Sequence, residues 1–166
     1  MDGTPHFKAF SRSMYAGPEE PLDLRALRSL KGIERRTARA MLIEQLTQSP
    51  DDCRLGRAVA TLRDPQLLPA TRSAFAQASS DRARVSLAVA LRTLGAFEET
   101  QPVIEQGLHS GEPAAQIESI KALTSAFPGP IDAVFAALAE SEEPAVKAAA
   151  EQAIARRQAR WGDRCS

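Results

Sequence analysis

The sequence predicts an all-α protein built as a stack of helix pairs, and three observations carry that prediction. First, Asp81 to Gly95 reads D-R-A-R-V-S-L-A-V-A-L-R-T-L-G, with Val85, Ala88, Leu91 and Leu94 at helical spacing and a glycine at the end. Second, this pattern recurs every 31–32 residues. Cys53, Ala58, Val59 and Leu62 fall under Val85, Ala90, Leu91 and Leu94; Ile117, Ala122, Leu123 and Ala126 form the next copy, and Ala148, Ala153, Ile154 and Arg157 the last. Four copies of one half-buried helix at a near-constant period mean stacked repeats. Third, the chain is 43% hydrophobic but only 5% aromatic, with thirty alanines, a composition suited to close helix–helix contact rather than to a sheet.

The elements follow in order. Residues 4–15 read as a short helix with Phe7, Phe10 and Met14 on one stripe. G-P-E-E-P at 17–21 interrupts it, Asp23 caps a segment with Leu24, Leu27 and Leu30 inward, and Gly32 ends that segment. From residue 33 the chain alternates a first helix (A), a short polar turn and a second helix (B). The A helices are expected at 33–48, from 64 to about 77, at 98–109 and at 132–140. The B helices are expected at 53–62, 82–94, 114–126 and 145 to about 160, with Asp81 capping the second. Turns such as S-P-D-D, A-S-S-D, S-G-E-P and S-E-E-P are as short as antiparallel helix pairs require, and F-P-G-P at 127–130 breaks the chain. The domain reading is an N-terminal cap over 1–32, a repeat array over 33–160 and a tail over 161–166.

Asp64, Pro65 and Pro69, with Asp81 and Ala90-Leu91, resemble the short bacterial HEAT-like repeat: Asp-Pro at entry, a second proline, an acidic turn and an Ala-Leu pair in helix B. Pro102, Glu112-Pro113 and Ala122-Leu123 repeat much of this, as do Glu143-Pro144, Val146-Lys147 and Ala153-Ile154; Ala115-Gln116 departs from it where a hydrophobic–Arg pair is expected. The resemblance covers roughly 33–157. It implies a right-handed α-solenoid of about four helix pairs with an N-terminal helical cap, helix B lining the concave side. The last copy places Arg157 where earlier ones place Leu62, Leu94 and Ala126, and Glu151 where the third has Ile120. Burying such charges is costly, so the stack is expected to end there.

Lys and Arg number 21 and Asp and Glu 21, a net charge of zero, so no global field draws in nucleic acid or an anionic membrane. The charge is uneven: +5 over 1–95, −8 over 96–155 and +3 over 156–166. Arginine outnumbers lysine 17 to 4, which with the alanine content suggests a GC-rich bacterial source. Cys53 and Cys165 are the two cysteines, one in a core register and one in the tail, which argues against a disulfide framework. M-D-G-T-P-H-F-K lacks the marks of a signal peptide, and no apolar run approaches the roughly 18–20 residues of a membrane span. The expected location is the cytoplasm.

Little in the chain points to chemistry. His6 and His109 have no neighbours at metal-ligand spacing, and no G-x-S-x-G, phosphate-cradling glycine loop or C-x-x-C is present. Cys53 shares a column with Val85, Ile117 and Ala148 and reads as a buried thiol. Asp51-Asp52, Glu98-Glu99 and Glu142-Glu143 lie at turns, where they suit helix dipoles. Neither a cofactor nor a metal is expected. Arg25, Arg28, Lys31, Arg35, Arg36 and Arg39 form one basic run; Arg156, Arg157, Arg160 and Arg164 flank Trp161 in another.

Comparing the copies with each other selects the candidate surface. The i, i+3, i+7 stripe of helix B reads Arg54, Arg57, Thr61; then Ser86, Val89, Thr93; then Glu118, Lys121, Ser125; then Ala149, Gln152, Arg156. With Arg92, these columns change chemistry between copies and are expected to face outward along one groove. The resulting expectation is a non-catalytic scaffold that binds another protein through that groove. By analogy with small bacterial proteins it resembles, it would be an adaptor or an immunity protein whose partner is a toxin or effector. Two alternatives share the repeat. One is a nucleic-acid binder of the DNA-repair type, suggested by Arg54, Arg57, Arg92 and the tail but opposed by the acidic stretch. The other is a bilin-lyase-like enzyme, for which no residue has an assignable role.

Overall fold

The computed structural model of the chain describes residues 3–17, 19–126 and 129–162. The expected break at 127–128, together with Arg164 and Cys165, lies outside them. Among the described residues there are ten α-helices and no strand: α1 Pro5–Tyr15, α2 Leu24–Ser29, α3 Gly32–Gln48, α4 Cys53–Leu62, α5 Leu68–Gln77, α6 Asp81–Thr93, α7 Gln101–Gly107, α8 Pro113–Leu123, α9 Pro130–Leu138 and α10 Pro144–Trp161. The third A helix is shorter than expected because Phe97 to Thr100 is turned rather than helical, and Pro102 sits in the helix's first turn. The second A helix begins with a 3-10 turn over Pro65–Leu67.

Local signals explain most ends. The side chains of Thr4, Asp23, Asp52 and Ser80 accept hydrogen bonds from the first turns of α1, α2, α4 and α6. The cap of α6 is therefore Ser80 and not Asp81, which is the first helical residue. At its other end the amides of Gly95 and Ala96 donate to the carbonyls of Arg92 and Leu91, with Gly95 at φ +100°. This is the left-handed closure that glycine permits without a Cβ penalty.

The helices pack as consecutive pairs, α3 on α4, α5 on α6, α7 on α8 and α9 on α10, while α4, α6, α8 and α10 touch in succession. The N-terminal segment extends the same scheme. α1 packs on α2 and touches α3, and α2 packs on α4, so the expected cap is also a fifth pair. Its register agrees: Ala26, Leu27 and Leu30 lie 32 residues before Ala58, Val59 and Leu62, and all six are at most 3% exposed.

The core divides into two clusters. One runs from Phe10 to Ala90 and the other from Ala88 to Ala153, so α6 contributes to both. In the column aligned on Leu91, Val59, Leu91 and Leu123 are fully buried and Ile154 half-buried. By the usual area coefficient, burying each such side chain contributes about 1.5–3 kcal/mol. Arg157 is the exception to the expected pattern. It occupies the same column as Leu62 and is 1% exposed, so it is not a surface charge that stops a stack.

Candidate inner-face binding surface

The joints between pairs are stitched by polar side chains in the turns. Asp51 accepts from the backbone amides of Ser79 (2.7 Å) and Ser80 (3.0 Å) and from the Ser79 hydroxyl (2.8 Å). One pair later, the Ser110 hydroxyl donates to Asp81 at 2.6 Å, and the Arg82 amide donates to Glu112 at 3.1 Å. These turn carboxylates thus hold neighbouring repeats in register. Hydrogen bonds from Ser80, then Ser79, keep the Asp51 carboxyl below its ordinary value.

Buried or half-buried arginines close the far ends of the B helices. Arg157 donates to the carbonyls of Ala126 (2.7 Å), Leu123 (3.3 Å) and Thr124 (3.4 Å), pairs with Asp132 at 2.7 Å and lies over the Phe135 ring at 5.5 Å. It satisfies carbonyls that the end of α8 leaves open and places positive charge at the negative pole of that helix. Its hydrogen bond also holds the Asp132 carboxyl below the usual range. Arg35 donates in the same way to the Leu62 carbonyl at the end of α4, and Arg39 pairs with Asp64 at 3.0 Å. Four members of the basic run, Arg25, Arg28, Lys31 and Arg36, remain exposed.

The candidate surface separates into columns that face out and one that does not. Arg54, Ser86 and Glu118 belong to the column expected to open the stripe, and all three are engaged. Arg54 pairs with Asp52 at 2.7 Å and donates to the carbonyls of Gly17 and Glu20, tying down the preceding loop. Ser86 is 2% exposed and donates to the Cys53 carbonyl at 2.7 Å. A Cβ on Gly56 would overlap Ser86, backbone included, so α4 and α6 meet here with no room for a side chain. This column lies on the flank turned to the preceding repeat, and Ala149, in the same column, is partly buried against the second core cluster. The outward assignment of Arg54, Ser86, Glu118 and Ala149 is therefore corrected.

The other two columns do face out. Arg57, Thr93, Lys121, Ser125, Gln152 and Arg156 are exposed, and Thr61 and Val89 half-exposed. The half-exposed Arg92 adds a third column, in which its guanidinium lies 3.4 Å from Gln101. The new N-terminal pair extends all three columns with Arg25, Arg28 and Ser29, each exposed. Arg57 reaches over α6 to form a two-point pair with Glu118 on α8, at 3.0 and 2.7 Å. The close approach at Gly56 shortens that span, and the Glu118 hydrogen bond holds Arg57 more firmly protonated.

Two clefts also open on the surface. One of about 360 Å³ is lined by residues including Glu20, Asp51 and Glu112 in turns and Cys53, Arg57 and Arg82 on α4 and α6. Cys53 is half-buried rather than in the core, and partial burial, opposed by Arg82, pushes its thiol above the ordinary value, the reverse of an activated nucleophile. The other, of about 410 Å³, is apolar and lies between α7 and α9 with Leu108, Leu123, Ile131 and Val134 in its walls. Among the described residues no group of three or more His, Cys, Asp or Glu side chains is placed to hold a metal ion, and no helix is long and apolar enough to cross a membrane. Arg160 lies over Trp161 at 5.0 Å, folding that ring back on the last helix. No family model matches the chain, and neither a curated protein nor a solved structure shows significant similarity to it.

Proposed function

We propose that the protein is a non-catalytic scaffold, a right-handed α-solenoid of HEAT-like repeats, that binds a partner protein through the face of the B helices turned away from the A helices. The observation that carries this reading is the row of successive B helices α2, α4, α6, α8 and α10, whose outward columns differ in chemistry from copy to copy while their core columns stay apolar except at Arg157. A repeat stack presents an extended surface of this kind without a single concave active site. The most concrete form of the proposal, by analogy with small bacterial proteins of similar build, is a cytoplasmic immunity or adaptor protein.

The test is site-specific photo-crosslinking in the native host. A benzoylphenylalanine placed at Thr93, exposed on α6, is expected to capture one protein near stoichiometry. The same group at Arg36, exposed on α3, is expected not to. Capture from Arg36 alone, or from neither, defeats the proposal.

A further inference from the structure

The charge on the inner face is one-sided. The three outward columns of the five B helices comprise fifteen positions, and none is buried. They hold Arg25, Arg28, Arg57, Arg92, Lys121 and Arg156, and no carboxylate at all, in a chain whose basic and acidic residues are equal at 21 each. Helix dipoles do not account for this. Dipole compensation would place cations in the last turns of A and B helices alike. Yet Arg25, Arg57 and Arg156 lie outside the last turns of α2, α4 and α10, where a cation gains little from the dipole. Core packing does not account for it either, because the side chains of Arg25, Arg28, Lys121 and Arg156 have no hydrogen bond or ion pair among the described residues.

We infer that this face docks an acidic polypeptide segment, and that a partner carrying carboxylates at regular intervals is the one it selects. The inference rests on the reading that the inner face binds a protein. Packed helices stand about 8–10 Å apart, so the B-helix axes, each bearing at least one of these cations, form a ladder of that spacing. An extended chain advances about 10 Å in three residues, which brings one carboxylate to each rung. The face already receives a carboxylate in this manner: Glu118 takes both hydrogen bonds that the Arg57 fork offers. Nucleic acid fits less well. Exposed carboxylates stand along the turns at one edge of the ladder, among them Glu20, Asp51, Asp81 and Glu143, where a duplex would bring phosphates. The fifteen positions also include no aromatic side chain on which bases of a single strand could stack.

Fluorescence anisotropy with the full chain tests this, using a labelled twenty-residue poly-glutamate peptide at low salt and a twenty-nucleotide DNA, single-stranded and duplex, beside it. Poly-glutamate is expected to bind, to bind more tightly than either DNA, and to weaken at least tenfold when Arg25→Glu and Lys121→Glu are combined. Arg36→Glu on the outer face is expected to change it less than twofold. The pair Arg25→Gln and Lys121→Gln, with an intermediate loss, carries the test if the reversed pair alters the helical circular dichroism. No binding of poly-glutamate, tighter binding of DNA, or an equal loss with Arg36→Glu overturns the inference. If Thr93 still captures a protein in that event, the scaffold reading stands and only the acidic partner is wrong. If poly-glutamate binds as expected but Thr93 captures nothing, the scaffold reading falls, and this inference with it.

Discussion

Replacing Arg157 by alanine is the sharpest test of how the C-terminal pair is held. The side chain is 1% exposed and answers three carbonyls at the end of α8 and the Asp132 carboxylate. Truncation removes all four interactions and leaves a void against Phe135. Breaking a buried pair costs about 3–5 kcal/mol. The Asp132 side chain is 26% exposed and regains water once freed, which places the expectation near the lower end, about 3 kcal/mol. Arg157→Leu restores most of the volume but none of the donors, so about 2 kcal/mol should remain lost. Urea unfolding followed by far-ultraviolet circular dichroism measures both. The pH dependence supplies a second reading. The Asp132 carboxyl is depressed in the folded state, so its contribution is full above the ordinary aspartate range and is lost as pH falls through the lower folded value. The gap between the native protein and Arg157→Ala must therefore narrow in acid. An Arg157→Leu variant as stable as the native chain, or a gap that does not narrow, would refute the capping role.

Other expectations follow from the same contacts. Leu91→Ala should destabilise by about 2–5 kcal/mol, because Leu91 is fully buried in the central column; Gln152→Glu, exposed on α10, serves as the neutral control in the same urea series. Gly56→Ala should cost about 1–3 kcal/mol, since its methyl group meets the Ser86 backbone and not merely a movable side chain; melting temperatures of Gly56→Ala and the exposed Ala40→Gly would show whether the glycine or simple helix propensity matters. Asp51→Asn should lower the urea midpoint at neutral pH and flatten the decline in acid, because the depressed Asp51 carboxyl supports the native state above the ordinary aspartate range and ceases to do so below it. In native-state hydrogen exchange, α6 should be the last helix to open, as its fully buried residues enter both core clusters; α6 amides exchanging before those of α9 would contradict that architecture.

The helical repeat was legible because it is written in small and apolar residue types suited to packing: an alanine followed by Leu, Val or Ile, with an apolar residue three positions on in all but the last copy, where Arg157 stands. The fifth copy, Ala26-Leu27 with Leu30, carries the same signal at the same interval. It is harder to read because its B helix has only six residues and the Asp-Pro entry is missing. For the surface, spacing located the stripe but not its flank. An i, i+3, i+7 set spans a wide arc, and its first column turned out to be the one that meets the neighbouring repeat. Gly56 was the available clue, because a glycine inside a helix marks close backbone approach, and the residue opposite it must be buried. Long-range pairings left no comparable trace. Nothing local distinguishes Arg57, which pairs 61 positions away, from Arg36, which is exposed. Arg157 was placed in the right column, but its charge was read as a barrier to packing, when the open carbonyls of the preceding B helix make that column hospitable to a cation.

Sorting the charges by the contacts they make separates structure from recognition more cleanly than sorting them by position. Asp51, Asp81 and Glu112 join consecutive turns; Arg54 and Asp52 fix the N-terminal loop; Arg35 and Arg157 close B helices; Arg39 and Asp132 complete those closures. Each of these has a partner within its own fold, and substitution there should register as lost stability. The side chains of Arg25, Arg28, Lys121 and Arg156, exposed on the B helices, have none among the described residues, and mutual repulsion along one face weakly opposes folding. Stability therefore gives no reason for these cations to share one face, on α2, α8 and α10, whereas an anionic partner would turn that repulsion into attraction. Arg57 stands between the two groups, half-exposed and already holding Glu118. It is the position where the demands of the fold and of a ligand meet, because an incoming carboxylate must compete there with one the protein supplies itself.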